Sequence, residues 1–119
     1  ILSDLWFGCD EKRLLLRLDF RAGVNPKAVL NNIEIRLVSS RPQARSIRLF
    51  PPEPGVKTAV EDILEAGCPY DMLGAAPGAD VEFVLELRIR GGKPSNVPSL
   101  MPLQLQVPGK DPHKINWQV

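Results

Sequence analysis

The feature that most constrains this sequence is the run of residues 81–90, in which apolar and charged side chains alternate. Phe83, Leu85 and Leu87 occupy one set of alternate positions, and Glu82 and Glu86 occupy the other. Successive side chains of a strand point to opposite faces, so this alternation predicts a strand with one apolar and one solvated face. Such half-buried strands are typical of antiparallel sheets. We expect this run to form the central strand of a sandwich.

The same alternation recurs in four other segments, and a short apolar run precedes the first of them as one leg of a hairpin. The alternating segments are residues 13–20, 33–38, 47–49 and 103–107, and the apolar run is 5–7. The 119 residues include 12 Pro and 9 Gly, which suits short strands joined by turns. We therefore predict an all-β fold: residues 1–119 form one antiparallel two-sheet β-sandwich of immunoglobulin-like or jelly-roll-like type. The residues expected in its core are Leu16, Leu18, Ile35, Phe83, Leu85, Leu87 and Leu105.

Residues 56–67 fit two secondary structures. Their apolar positions recur at helical spacing, and Gly67 stands where a helix would end. Leu64 and Cys68 also alternate with Glu65 and Gly67, which fits a strand. Periodicity alone favours an amphipathic helix, with a strand as the weaker alternative. The following residues 69–74 predict a single helical turn, because Pro is favourable at a helix start and Tyr70 and Leu73 are three positions apart.

Charge and composition exclude several classes of partner. Lys plus Arg number 15 and Asp plus Glu number 14, so a net charge of +1 gives no general attraction to nucleic acid. No apolar run approaches the length of a membrane span, and no signal peptide is visible. Cys9 and Cys68 are expected to be buried free thiols. These features together predict a cytoplasmic protein that binds neither nucleic acid nor membrane.

The sequence contains no recognisable catalytic or metal-binding constellation. His113 is the only histidine, and Asp111 beside it would supply at most a second metal ligand. Glu82 and Glu86 share one strand face, but we expect them to be solvated and paired with arginines such as Arg88, Arg17 or Arg36. We therefore predict no catalytic residue, no metal site and no cofactor.

Aromatic side chains are the remaining candidates for a binding site. An exposed ring can stack on the apolar face of a sugar, although buried rings are commoner. We expect Tyr70 to be buried, whereas Trp6 and Trp117 are candidate substrate-binding rings.

Three stretches together resemble a known family. They are LWFGCDEKRLLLRLDF at residues 5–20, ILEAGCPYDMLGAAPGADVEFVLELRI at 63–89, and LQLQVPGKDPHKINWQV at 103–119. Their order looks like the C-terminal β-sandwich domain of family 57 glycoside hydrolases of the α-amylase and glucanotransferase type. The chain is also loosely similar to carbohydrate-binding modules of family 9, whose strand Glu, Pro-started turn ending in Leu-Gly, and later Gly correspond to Glu65, Pro69, Leu73, Gly74 and Gly78.

This resemblance implies a non-catalytic accessory domain from the C-terminal end of a larger polysaccharide-processing enzyme. The catalytic residues are then expected in an N-terminal domain outside these 119 residues. The implied partners are that catalytic domain and α-glucan. The resemblance also favours a strand for residues 63–68. The alternative is an interaction or structural β-sandwich with no carbohydrate affinity.

Overall fold

The structure, a computed structural model, describes residues 2–97 and 101–108. These residues form nine strands and two short helices. The strands are β1 (Leu2–Cys9), β2 (Arg13–Phe20), β3 (Ile33–Arg41), β4 (Arg45–Phe50), β5 (Lys57–Val60), β6 (Ile63–Pro69), β7 (Asp80–Ile89), β8 (Ser95–Val97) and β9 (Leu103–Gln106), and the helices are α1 (Pro26–Leu30) and α2 (Tyr70–Leu73).

The strands form two antiparallel sheets that pack face to face. The first sheet has the order β1-β2-β6-β5. In the second sheet the order is β4-β3-β7-β8, and β9 also pairs with β7. The predicted all-β, two-sheet sandwich with a short helix is thus confirmed. The predicted central position of the run 81–90 is also confirmed, because β7 pairs with β3 on one side and with β8 and β9 on the other.

The core lies between the two sheets and is filled by the apolar face of each strand. Phe7 of the first sheet and Phe83 of the second make an edge-to-face contact, with ring centroids 5.8 Å apart. All seven residues that were predicted to lie in the core are buried. The alternation fails at Ile89, which is 53% exposed because it lies at the end of β7, beyond the packed region.

The ambiguous segment forms two strands, so its helical spacing was misleading. β6 covers the strand that the family resemblance favoured, and it pairs with β2 on one side and β5 on the other. Hydrogen bonding along both edges outweighs the local helical pattern. The predicted helical turn is confirmed as α2, with Tyr70 and Leu73 buried. Gly74 ends this helix at φ 66°, in the left-handed region that favours glycine.

Three short elements were not predicted: α1, β5 and β8. The connection 22–32 contains α1, which begins after Asn25; the Asn25 side chain accepts a hydrogen bond of 3.1 Å from the Lys27 backbone N–H. Pro26 at its first position completes a common helix start. β8 has only three residues, too few for alternation to be recognised.

Candidate functional site

The outer face of the second sheet carries ion pairs on both sides of the apolar pair Val38 and Val84. Glu82 lies 3.8 Å from Arg41, and Glu86 lies 3.9 Å from Arg88. The expectation that these two glutamates are ion-paired on a solvated sheet face is therefore confirmed. Two suggested partners were wrong. Arg17 belongs to the first sheet and pairs with Asp19 at 2.8 Å, and Arg36 pairs with Glu34 at 3.3 Å.

The outer face of the first sheet is built differently, with small and apolar residues among the charges. Two adjacent register rows cross this sheet from β1 to β5. One row contains Gly8, Leu15, Gly67 and Lys57, and the other contains Trp6, Arg17, Glu65 and Ala59. Because Gly67 carries no side chain, the first row is low between Leu15 and Lys57. A depression in the sheet surface lies on that side of Leu15.

The depression, which we call the outer groove, has a volume of about 360 Å³. Leu15, Ala59 and Gly67 contribute its apolar surface, and Arg13, Lys57 and Glu65 are its charged residues. The sequence analysis did not single out this groove. Leu15 was a usable signal, because it is apolar at a position where its alternate neighbours Arg13 and Arg17 are charged.

Trp6 lies on the same sheet face as the outer groove, on β1, in the row that contains Arg17 and Glu65. Its ring is half-buried, and the Arg17 guanidinium carbon lies 5.8 Å from the ring centroid. The indole Nε1 is covered and has no hydrogen-bond partner. Arg17 is held in turn by two hydrogen bonds to Asp19, of 2.8 and 3.3 Å. That side-chain hydrogen bonding is the main cause that raises the pKa of Arg17, and the charges of Asp19, Glu65 and Asp4 raise it further.

Of the two predicted tryptophans, the structure describes only Trp6. Trp117 lies outside the described residues, so its part in a binding site stays a prediction. Trp6 is placed on an outer sheet face, as a substrate-binding ring would require, but with Arg17 over its ring.

A second cavity, which we call the end cavity, lies beside α2 and has a volume of about 630 Å³. Tyr70 lines it with its hydroxyl already bonded to the Asp10 carbonyl oxygen at 2.7 Å. The prediction that Tyr70 is buried is confirmed. Arg13 and Lys57 line both cavities, so the outer groove and the end cavity adjoin at these two side chains.

The two cysteines are free and buried, as predicted. Cys9 and Cys68 are both register partners of Leu14, one on each side of β2. Two strand spacings separate them by roughly 10 Å, beyond the ~7 Å Cα separation that a disulfide tolerates. Burial raises the pKa of the Cys68 thiol to about 12, and the nearby charge of Glu53 contributes to the shift. Both thiols are therefore core side chains.

Residues 2–97 and 101–108 contain no cluster of three or more His, Cys, Asp and Glu side chains suited to a metal ion. Asp111 and His113 lie outside this part of the chain. Neither α1 nor α2 has the length and hydropathy that crossing a membrane requires, and the described residues form no other helix. No protein-family model, curated protein or solved structure matches the sequence.

Proposed function

We propose that this chain is a non-catalytic accessory module of a polysaccharide-processing glycoside hydrolase, and that it binds α-glucan through the outer face of its first sheet. The observation that carries this proposal is the difference between the two outer faces. One face carries ion pairs on both sides of the valine pair Val38 and Val84 and has no glycine in its described strands, whereas the other has a groove with apolar surface and, on the same face, a half-buried tryptophan. A pyranose ring offers apolar C–H faces and polar hydroxyls, which such a mixed surface complements.

The non-catalytic role is supported by the positions of the carboxylates. A glycosidase needs two carboxyl groups across a cleft, one with a raised pKa. Glu82 and Glu86 instead pair with arginines on the second sheet's outer face. The catalytic residues of the enzyme would then reside in another domain. As part of the same proposal we place the enzyme in the cytoplasm, a reducing compartment in which buried free thiols such as Cys9 and Cys68 are common.

The test is a titration with maltoheptaose, followed by calorimetry and by tryptophan emission in a Trp117→Phe variant. We expect saturable binding at millimolar sugar, because an open groove buries little of a ligand. Trp6→Ala should abolish binding, while Val84→Ala on the second sheet's outer face should leave it intact. If no heat and no emission change appear up to millimolar sugar, the glucan proposal fails.

One observation favours a second candidate, a docking face for another domain of the same enzyme. Arg17 covers the Trp6 ring, and Nε1 is shielded without a partner, so the ring is less open than a sugar platform usually is. In that case the groove would contact the catalytic domain. Adding that domain should then shift Trp6 emission and raise the melting temperature of the sandwich by linkage. Neither should change if the face binds sugar alone.

A further inference from the structure

Gly67 lies in the interior of β6, where a residue without a side chain weakens a strand and often marks a close approach. Its φ lies outside the left-handed region, so the backbone does not require glycine. A Cβ at this position would stand 3.3 Å from Cδ and 3.7 Å from Nη1 of Arg13. The missing side chain therefore leaves room for Arg13 to extend over Gly67. Lys57 lies next to Gly67 as its register partner on β5.

Arg13 and Lys57 are weakly neutralised by the protein itself. Arg13 Nε lies 4.0 Å from Asp10 Oδ2, at the outer limit of an ion pair. The Asp10 carboxylate already accepts backbone N–H hydrogen bonds from Lys12 and Arg13, at 2.8 and 2.7 Å. Lys57 forms no ion pair with any described residue. Two positive side chains thus lie at Gly67: Arg13 extends over it from β2, and Lys57 is its register partner on β5.

The opposite side of the outer groove carries negative charge. Glu65 lines the groove there, and next to it on β2 Arg17 is bonded to Asp19 and is also acted on by the charges of Glu65 and Asp4. Three carboxylates around one guanidinium leave that side negative, and Glu65 is the register partner of Arg17. The face is therefore polarised, with its positive side at the junction of the two cavities. Glu11, Lys12 and Asp71 also line the end cavity, so the inference is confined to that junction.

We infer that the outer groove selects an acidic polysaccharide, with a uronate carboxylate held by Arg13 and Lys57 above Gly67. This inference rests on the proposed saccharide-binding function and names an acidic saccharide as the preferred ligand over neutral α-glucan. Guanidinium matches the two oxygens of a carboxylate, and charge-assisted hydrogen bonds are stronger than neutral ones. The pyranose ring that carries the carboxylate then contacts the apolar surface of the groove, where a neutral glucose ring would bring no charge to Arg13 or Lys57.

The test compares two α-1,4-linked ligands of equal length by calorimetry: tetragalacturonate and maltotetraose. We expect the galacturonate to bind about tenfold more tightly, and its affinity to fall as salt rises, since the contact is ionic. Lys57→Gln should remove about that tenfold gain. Lys27→Gln is the matched control, because it makes the same charge change on α1, and it should leave affinity unaltered. Gly67→Ala, whose Cβ would lie 3.3 Å from Arg13 Cδ and shift that side chain slightly, should weaken galacturonate more than maltotetraose.

Each other outcome has its own meaning. If maltotetraose binds as well as tetragalacturonate, or Lys57→Gln changes nothing, the uronate inference fails and the glucan-binding function stands. If tetragalacturonate alone binds, the inference stands and α-glucan is replaced as ligand. If neither saccharide binds, both proposals fail together. A poly-glutamate peptide that binds as tightly as tetragalacturonate would overturn the saccharide assignment in favour of an acidic protein surface.

Discussion

The hydroxyl group of Tyr70 donates a hydrogen bond of 2.7 Å to the backbone carbonyl oxygen of Asp10. The Tyr70 backbone N–H also donates to the Lys12 carbonyl oxygen, at 3.2 Å. The start of α2 is therefore tied twice to the turn between β1 and β2. This connection fixes one wall of the end cavity and orients the turn from which Arg13 extends.

Replacing Tyr70 by Phe removes the hydroxyl bond and keeps the buried ring. We expect a loss of about 0.5–1.5 kcal/mol in the free energy of unfolding, the usual net contribution of one hydrogen bond. Urea denaturation measures it. Ser40→Ala is the control, because its hydroxyl makes only an exposed bond of 3.4 Å and should matter little. Equal losses in the two variants would contradict a special role for the Tyr70 bond.

Leu85 and Val84 are adjacent residues of β7 that lie on opposite faces of the sheet. Leu85 is fully buried between the sheets, whereas Val84 lies on the outer face. Leu85→Ala should lower the free energy of unfolding by about 2–5 kcal/mol through lost burial and a residual cavity. Val84→Ala should cost less than about 1 kcal/mol. Denaturant midpoints of the two variants provide the comparison, and similar values would show that the sandwich does not bury this strand face.

Cys68 should make the fold sensitive to alkali. Burial raises the pKa of its thiol from the ordinary 9.0 to about 12, so the folded state holds its proton more tightly than the unfolded state. Stability from this group is complete below about pH 9 and is lost as pH rises toward 12. The slope is at most about 1.4 kcal/mol per pH unit for one proton. The pKa of buried Tyr70 is raised as well, chiefly by burial, so it adds to the same trend.

Cys68→Ala should therefore flatten the fall in stability between pH 9 and 12, measured by urea unfolding at each pH. Tyr70→Phe should flatten it too, and the double variant most of all. An unchanged alkaline slope in Cys68→Ala would mean that the thiol does not titrate differently in the two states.

The sequence predicts the position of a strand well where one face of that strand is uniformly apolar. The alternation around Phe83 and Leu85 locates β7 to within one residue at each end, because core burial requires that period. The prediction fails where pairing with another strand determines the secondary structure. Ala59 and Ile63 fit a helix locally, and only pairing between β5 and β6 makes both strands. Asn25 and Pro26 are residues typical of a helix start. The helix that follows has only five residues, which is too short for helical periodicity to be recognised.

The candidate site is less predictable than the fold. Trp6 was predicted as a candidate because an exposed aromatic ring can stack on a sugar. The sequence does not reveal that Arg17 lies over this ring, because that contact depends on which strand pairs with β1. The outer groove depends on Leu15, Gly67 and Lys57 sharing one row across β2, β6 and β5. Leu15 and Gly67 are far apart in the sequence, so only the register brings them into line.

The strand order also constrains how the chain can reach this state. In each sheet a principal pairing, β2 with β6 or β3 with β7, joins residues roughly fifty positions apart, and the two pairings interleave along the chain. Neither sheet can be completed before most of the polypeptide is present. Folding must then begin by closing long loops, which places such topologies in the millisecond-to-second range rather than the microseconds of helical bundles. A ribosome-bound chain that ends before β6 would hold only the hairpins β1–β2 and β3–β4, each with its apolar face still open to water.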